Sequence, residues 1–143
     1  MNISLDGEGL RSVARDEILF KEGDPADRFF LVASGTILFL KRDGDRLRLV
    51  YSAGPKDVVG EEALLARVPH AYAAVAAEDS EVVEVPLELL DSVMGRAPKW
   101  VPQLLATLSG RFNETADVVA RNHLSVPEEL PEGEQVRLKK LLA

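Results

Sequence analysis

The sequence predicts a mainly β domain, a barrel or roll, with α-helices at its C-terminal end. Two observations carry this. From Ile18 to Val85, short runs rich in Val, Ile, Leu and Phe alternate with turn residues, the pattern of a small β structure. Beyond Pro86 the apolar residues recur every three or four positions, which is the period of a helix.

The turns come in order as Glu22-Gly23-Asp24-Pro25, Ser34-Gly35, Asp43-Gly44-Asp45, Ala53-Gly54-Pro55 and Glu78-Asp79-Ser80, each supplying glycine, proline or an Asx side chain where the chain must reverse. Between them Phe29 to Ala33, Thr36 to Lys41, Leu47 to Ser52 and Val82 to Pro86 read as strands, and the alanine-dominated run Ala73 to Ala77 as a weaker one. Asp43-Gly44 is a hairpin tip, because both residues tolerate positive φ. Glu61 to Arg67 consists of strong helix formers and stops shortly before Pro69, so a short helix interrupts the β region.

Leu87, Leu90, Val93 and Met94 share one helical face after Pro86. A longer helix follows from Lys99 to about His123, with Val101, Leu104, Leu105, Leu108, Phe112, Ala116 and Val119 as its apolar stripe. At about 1.5 Å per residue it would reach roughly 38 Å. Pro102 is tolerated only in its first turn, and Gly110 costs about 1 kcal/mol relative to alanine. After Leu124, the residues Pro127, Glu128, Glu129, Pro131, Glu132 and Gly133 read as an acidic linker, and Gln135 to Ala143 as a short helix whose Arg137, Lys139 and Lys140 suit its C-terminal end. Residues 1–123 are thus read as the roll with its helices, and 124–143 as linker and tail.

With 143 residues there is room for one core and peripheral helices, and not for two full domains. A hydrophobic fraction of 46% beside 29% charged residues predicts a folded chain. The formal net charge of −7 opposes nonspecific attraction to nucleic acid or an anionic membrane. There is no cysteine, so disulfides and thiol chemistry are excluded, which suits a reducing cytoplasm. Met1 to Leu10 carries Asp6 and Glu8 instead of a basic segment before an apolar run, so no secretory signal is expected. No apolar stretch approaches the roughly 20 residues that span a bilayer. A soluble, cytoplasmic protein is the expectation.

Three strings, in order, carry a resemblance to a known family. The first is Ile18-Leu19-Phe20-Lys21-Glu22-Gly23-Asp24-Pro25-Ala26-Asp27, continuing through Phe29-Phe30-Leu31-Val32 to Ser34-Gly35. The second is Ala53-Gly54-Pro55-Lys56-Asp57-Val58-Val59-Gly60-Glu61-Glu62-Ala63-Leu64-Leu65, and the third runs from Glu78-Asp79-Ser80-Glu81-Val82 to Val85-Pro86. Together they resemble the cyclic-nucleotide-binding domain found in the catabolite activator protein and in cyclic-AMP-dependent kinase regulatory subunits. The resemblance implies a double-stranded β-helix, a jelly-roll-like β-roll, with the nucleotide inside and its cyclic phosphate against the N-terminus of the short cassette helix. Free N–H groups there bind an anion, glycine lets the backbone approach it, and an arginine adds a charged clamp. The family's glutamate accepts a hydrogen bond from the ribose hydroxyl.

Carried over residue by residue, the resemblance makes Val59, Gly60, Glu61, Ala63, His70 and Ala71 the ligand-binding candidates, with cyclic AMP or cyclic GMP as the ligand. Two of them depart from the pattern: His70 and Ala71 stand where the family expects arginine followed by a small hydroxyl residue. A neutral imidazole in place of guanidinium forgoes a charge-assisted interaction of roughly 1.5–3 kcal/mol. His70 is read either as a cation that still meets a phosphate at low pH or as a loop residue of an eroded site. Arg67 is weighed as a substitute phosphate partner against a role in solvating the helix surface. Glu61 and Glu62 beside Asp57 are read as surface charge rather than as an acid–base pair, and the lone Trp100 and His123 as packing or exposed residues.

No nucleophile–base constellation, cofactor motif or metal-ligand spacing is present, so a non-enzymatic regulatory or sensor domain is expected. The long apolar stripe either packs back on the roll or pairs with a second copy, and proteins resembling this family often dimerise there. The expectation is therefore a homodimer through helix 99–123, or a partner protein held there. Direct DNA binding needs a recognition helix with a basic face, which the acidic-to-mixed residues after His123 do not supply. The alternative is a ligand-independent interaction scaffold with an eroded nucleotide pocket.

Overall fold

Two four-stranded antiparallel sheets face each other in the computed structural model, which describes residues 9–121 and 130–143. The strands are β1 (Leu10–Val13), β2 (Ile18–Phe20), β3 (Arg28–Ser34), β4 (Ile37–Asp43), β5 (Arg46–Ala53), β6 (Val58–Val59), β7 (Ala73–Ala76) and β8 (Ser80–Pro86). One sheet runs β1-β8-β3-β6 and the other β2-β7-β4-β5. Successive strands mostly lie on opposite sheets, which is how a jelly-roll-like β-roll winds. The helices are α1 (Glu61–Ala66), α2 (Leu87–Arg96), α3 (Trp100–Arg121) and α4 (Glu132–Leu142).

The mainly β roll with C-terminal helices is as expected, and the Asp43-Gly44 tip turns β4 into β5 with Gly44 at φ 62°. β1, β2 and β6 are not among the strands expected from the sequence. β1 becomes a strand by pairing along β8, from Leu10 opposite Val83 to Val13 opposite Ser80, and the two residues of β6 become one against Phe30 and Leu31. Such short strands are made by their partners, not by local composition.

Alternation along β4 and β7 gives the second sheet two buried faces. Ile37, Phe39, Ala74 and Ala76 point between the sheets with Phe20, Phe30, Val32, Val59, Tyr72 and Val82. Leu40, Ala73 and Val75 point the other way and are covered by Leu130 and Leu138, with Leu141 and Leu142 beside them. The outer cover is α4. The Gln135 side chain accepts the Leu47 N–H at 2.9 Å and donates to the Leu47 carbonyl at 2.6 Å. Arg46 pairs with Glu132 at 2.9 Å, and Arg137 pairs with Asp16 and Glu134. Pro131, Glu132 and Gly133, expected in the linker, instead form the N-cap and first turn of this helix. Proline just before a helix is pre-set for that position.

Pro102 falls in the first turn of α3, as its chemistry requires. The expected end of that helix at His123, and linker residues Leu124, Pro127, Glu128 and Glu129, lie outside the described residues. No helix among the described residues is long and apolar enough to cross a membrane.

Leu138 is fully buried under the second sheet. Leu138→Ala is expected to destabilise the whole roll by about 2–5 kcal/mol, because α4 closes its outer core. Urea unfolding followed by tryptophan fluorescence and circular dichroism checks this, and a loss below about 0.5 kcal/mol would show α4 to be energetically separate.

Candidate functional site

β6 delivers the chain to Gly60, whose φ of 87° turns it into α1. A Cβ at Gly60 would lie 3.0 Å from Phe20 Cε1 and 3.3 Å from His70 Cε1, so glycine is needed for both φ and space. α1 ends at Arg67, itself left-handed at φ 59°, with Val68 N–H bonded back to the Ala63 carbonyl at 3.1 Å. The chain then passes through His70 and Ala71 into β7. The His70 N–H donates to the Asp24 carbonyl at 3.0 Å, and Gly23 N–H donates to the His70 carbonyl at 2.8 Å. Gly60 and His70 thus meet, Val59 and Ala63 are fully buried, and Ala71 packs on the inner core. Glu61 stands at the helix start with Oε2 buried and without a hydrogen-bond partner.

His70 is 4% exposed, and its ring lies flat on Phe20, with centroids 3.6 Å apart and planes at 8°. Its Nδ1 is buried without a partner. Burial pulls its pKa down to about 4, outweighing the opposite pull of Asp24 and Asp27. The reading of His70 as a cation at mildly acidic pH is corrected accordingly: it is a neutral, stacked core residue. Arg67 pairs with Asp91 of α2.

The glutamates also correct an expectation. Glu62, read as surface charge, is 2% exposed, and neither of its carboxylate oxygens has a hydrogen-bond partner. Burial first, and the neighbouring Glu62 second, push Glu61 up to about 8. Burial also raises Glu62, partly offset by the Tyr72 hydroxyl, which approaches it without completing a hydrogen bond. The alternating pattern of apolar and polar residues gives no sign of this, because a helix of six residues is too short to display a face. Asp57 serves the backbone, accepting Gly54 N–H at 2.9 Å in the turn before β6.

The residues that were not singled out are aromatic. Tyr72 is fully buried and raised far above the usual phenol range by burial and by Glu62 and Glu61. Its hydroxyl accepts the Gly60 N–H at 3.3 Å. Its ring is parallel to Phe39 at 4.4 Å and meets Phe112 of α3 edge-on at 6.1 Å. The signal was the period of two: Tyr72 precedes Ala74 by two residues and so shares its inner face. α1 packs along α3, whose Ser109 is buried and whose Asn113 side-chain amide is buried without partners. No group of three or more potential metal ligands occurs among the described residues. The site offers the Gly60 N–H, a neutral imidazole and carboxyl groups.

A two-sheet roll that feeds a glycine-entered helix, itself packed against a long following helix, defines the class of jelly-roll-like β-rolls with C-terminal helices. The cyclic nucleotide-binding domain model matches residues 10–97, and the chain belongs to that family. It is 28% identical over 114 residues to the anaerobic regulatory protein of Pasteurella multocida, covering 78% of this chain and 41% of that one. The catabolite activator protein of Thermus thermophilus is 29% identical with a TM-score of 0.62, over 74% of this chain and 50% of that chain. A cAMP-bound EAL enzyme superposes with a TM-score of 0.71 at 22% identity, over 78% of this chain and 30% of that one, a likeness of fold. The chain spans half or less of the length of each of these relatives.

The titrations have opposite signs. Glu61 holds in the folded state a proton that the unfolded chain releases from about pH 4.5, so its contribution to stability is lost as pH rises towards about 8, and the raised Glu62 acts in the same direction. His70 is kept neutral, so its contribution is lost as pH falls from about 6.5 towards 4. Between about pH 4.5 and 6.5 the His70 slope offsets only one of the two carboxyl slopes, so thermal melts from pH 4 to 9 are expected to peak towards the acidic end of the range and to fall as pH rises. Glu62→Gln is expected to stabilise at pH 8 by on the order of 1–3 kcal/mol and to flatten the alkaline limb. Parallel curves for the two proteins would refute the buried acid.

Proposed function

We propose that the chain is a non-enzymatic regulatory module that couples its cassette helix α1 to α3 and, through the outer face of α3, to a second copy of itself. One observation carries this. α3 packs on α1 with one side, while Trp100, Leu104 and Leu108 on another side are 66%, 48% and 50% exposed, in line at a spacing of four residues. A stripe of that spacing on a helix is self-complementary about a two-fold axis. It differs from the expected stripe in detail: Val101 and Leu105 are half-buried, and Trp100 joins the outer row.

On the input side, Val59, Gly60, Glu61, Ala63, His70 and Ala71 are the proposed ligand contacts, with cyclic AMP or cyclic GMP as the ligand class that family membership supports. A cyclic phosphate at Gly60 would meet a neutral imidazole and two carboxyl groups, so only weak affinity is expected. A second reading, a ligand-independent interaction scaffold, is favoured by that same neutral His70. The net charge of −7 favours a protein partner over direct DNA contact, and a cytoplasmic location accords with the lack of cysteine. Enzymatic turnover is not proposed, because the buried acids and His70 do not pair with any nucleophile among the described residues.

Light scattering after size exclusion is expected to give a dimer for the wild type and a monomer for the double variant Leu104→Glu, Leu108→Glu. A monomeric wild type would overturn the homodimer. Calorimetry with cyclic AMP and cyclic GMP is expected to give a Kd above about 100 μM, equal at pH 7.5 and 5.5 because His70 stays neutral at both. Tenfold tighter binding at pH 5.5 would show instead that a charged His70 grips the phosphate.

A further inference from the structure

The backbone N–H of Gly60 lies on the cassette side of the roll, and Phe112 of α3 lies across from it. In this chain a side chain already joins them. Tyr72 places its hydroxyl on the Gly60 N–H at 3.3 Å and turns the edge of its contact with Phe112 towards α3 at 6.1 Å. Between these ends the ring is clamped flat on Phe39 at 4.4 Å and 9°, and Phe20 lies tilted against it at 5.7 Å. Phe20 and His70, their rings stacked, also crowd Gly60, standing 3.0 and 3.3 Å from where a Cβ would be.

We infer that Tyr72 is a built-in occupant of the roll: its phenol takes the cassette N–H, its ring bridges to α3, and no free ligand enters unless that ring leaves. The α1–α3 clasp is then held in a single state by covalent chain, at an effective concentration no free ligand matches. A phenol suits the place physically. It is neutral, presents an oxygen to the N–H, and fills the apolar remainder with an aromatic face, where a phosphate would bring charge into a space shared with Glu61 and Glu62. The inference rests on the regulatory reading only for what the clasp signals, and the two fail on different readouts.

Amide hydrogen exchange by NMR on the full chain tests it. Tyr72→Ala is expected to speed exchange at Gly60 and along α1 and the inner face of α3 by about tenfold or more, and millimolar p-cresol, the missing side chain as a free molecule, is expected to restore protection. Tyr72→Phe keeps the ring, and is expected to speed exchange at Gly60 by about tenfold while α3 stays protected. Calorimetry adds a third arm: His70→Arg with Ala71→Ser is expected to keep a cyclic AMP Kd above about 100 μM, while the same pair with Tyr72→Ala binds it at least tenfold more tightly. Unchanged exchange in Tyr72→Ala, or cyclic AMP bound as tightly with Tyr72 present as without it, would overturn the inference. Should Tyr72→Ala fail to fold, unchanged Gly60 exchange in Tyr72→Phe would overturn it alone, and faster exchange there would uphold it. The oligomeric state of the α3 variants, which tests the regulatory reading, is unaffected by either result.

Discussion

The flat contact between Tyr72 and Phe39 sets the geometry of the inner roll. It depends on Ala74, which is paired in register with Phe20 on one side and Phe39 on the other. A methyl group in the middle of that row leaves height for the Tyr72 ring to close over it, and a larger side chain would wedge the rings apart. From this column everything on the cassette side takes its position. Gly60 is located by the phenol oxygen, His70 by its stack on Phe20, and the middle of α3 by Phe112.

Burial then decides the chemistry. An imidazole and two carboxyl groups lie in one small region, and low polarizability drives each towards its neutral form: the base loses its proton, and the acids keep theirs. The site carries titratable side chains without the charges they suggest. A region arranged in this way is suited to a neutral or aromatic occupant, and the same burial that disfavours a phosphate favours a phenol.

The roll and its helices were legible in the sequence because turn residues and the change of apolar period are local signals. The strings around Gly23, Gly60 and Pro86 located the cassette, and the departure at His70 and Ala71 could be read directly. What escaped was set by neighbours distant in sequence. β1 exists because β8 lies beside it, and Glu62 is buried in a helix packed along α3 and beside Tyr72. Tyr72 itself stood between a loop and an alanine-rich strand, where composition suggested little and only the face it shares with Ala74 gave it away. His70 could be recognised as a departure, but its stacking on Phe20 across fifty residues of chain could not.

The side-chain amide of Gln135 has the same donor and acceptor as a peptide group, and it is spent on the backbone of Leu47 at the open border of the second sheet. There it imitates one residue of a further strand. β5 would otherwise present unpaired backbone groups above an apolar outer face, the template on which foreign strands dock and fibrils grow. α4 therefore acts as a terminator of sheet growth at that position, closing the Leu47 backbone to a further strand.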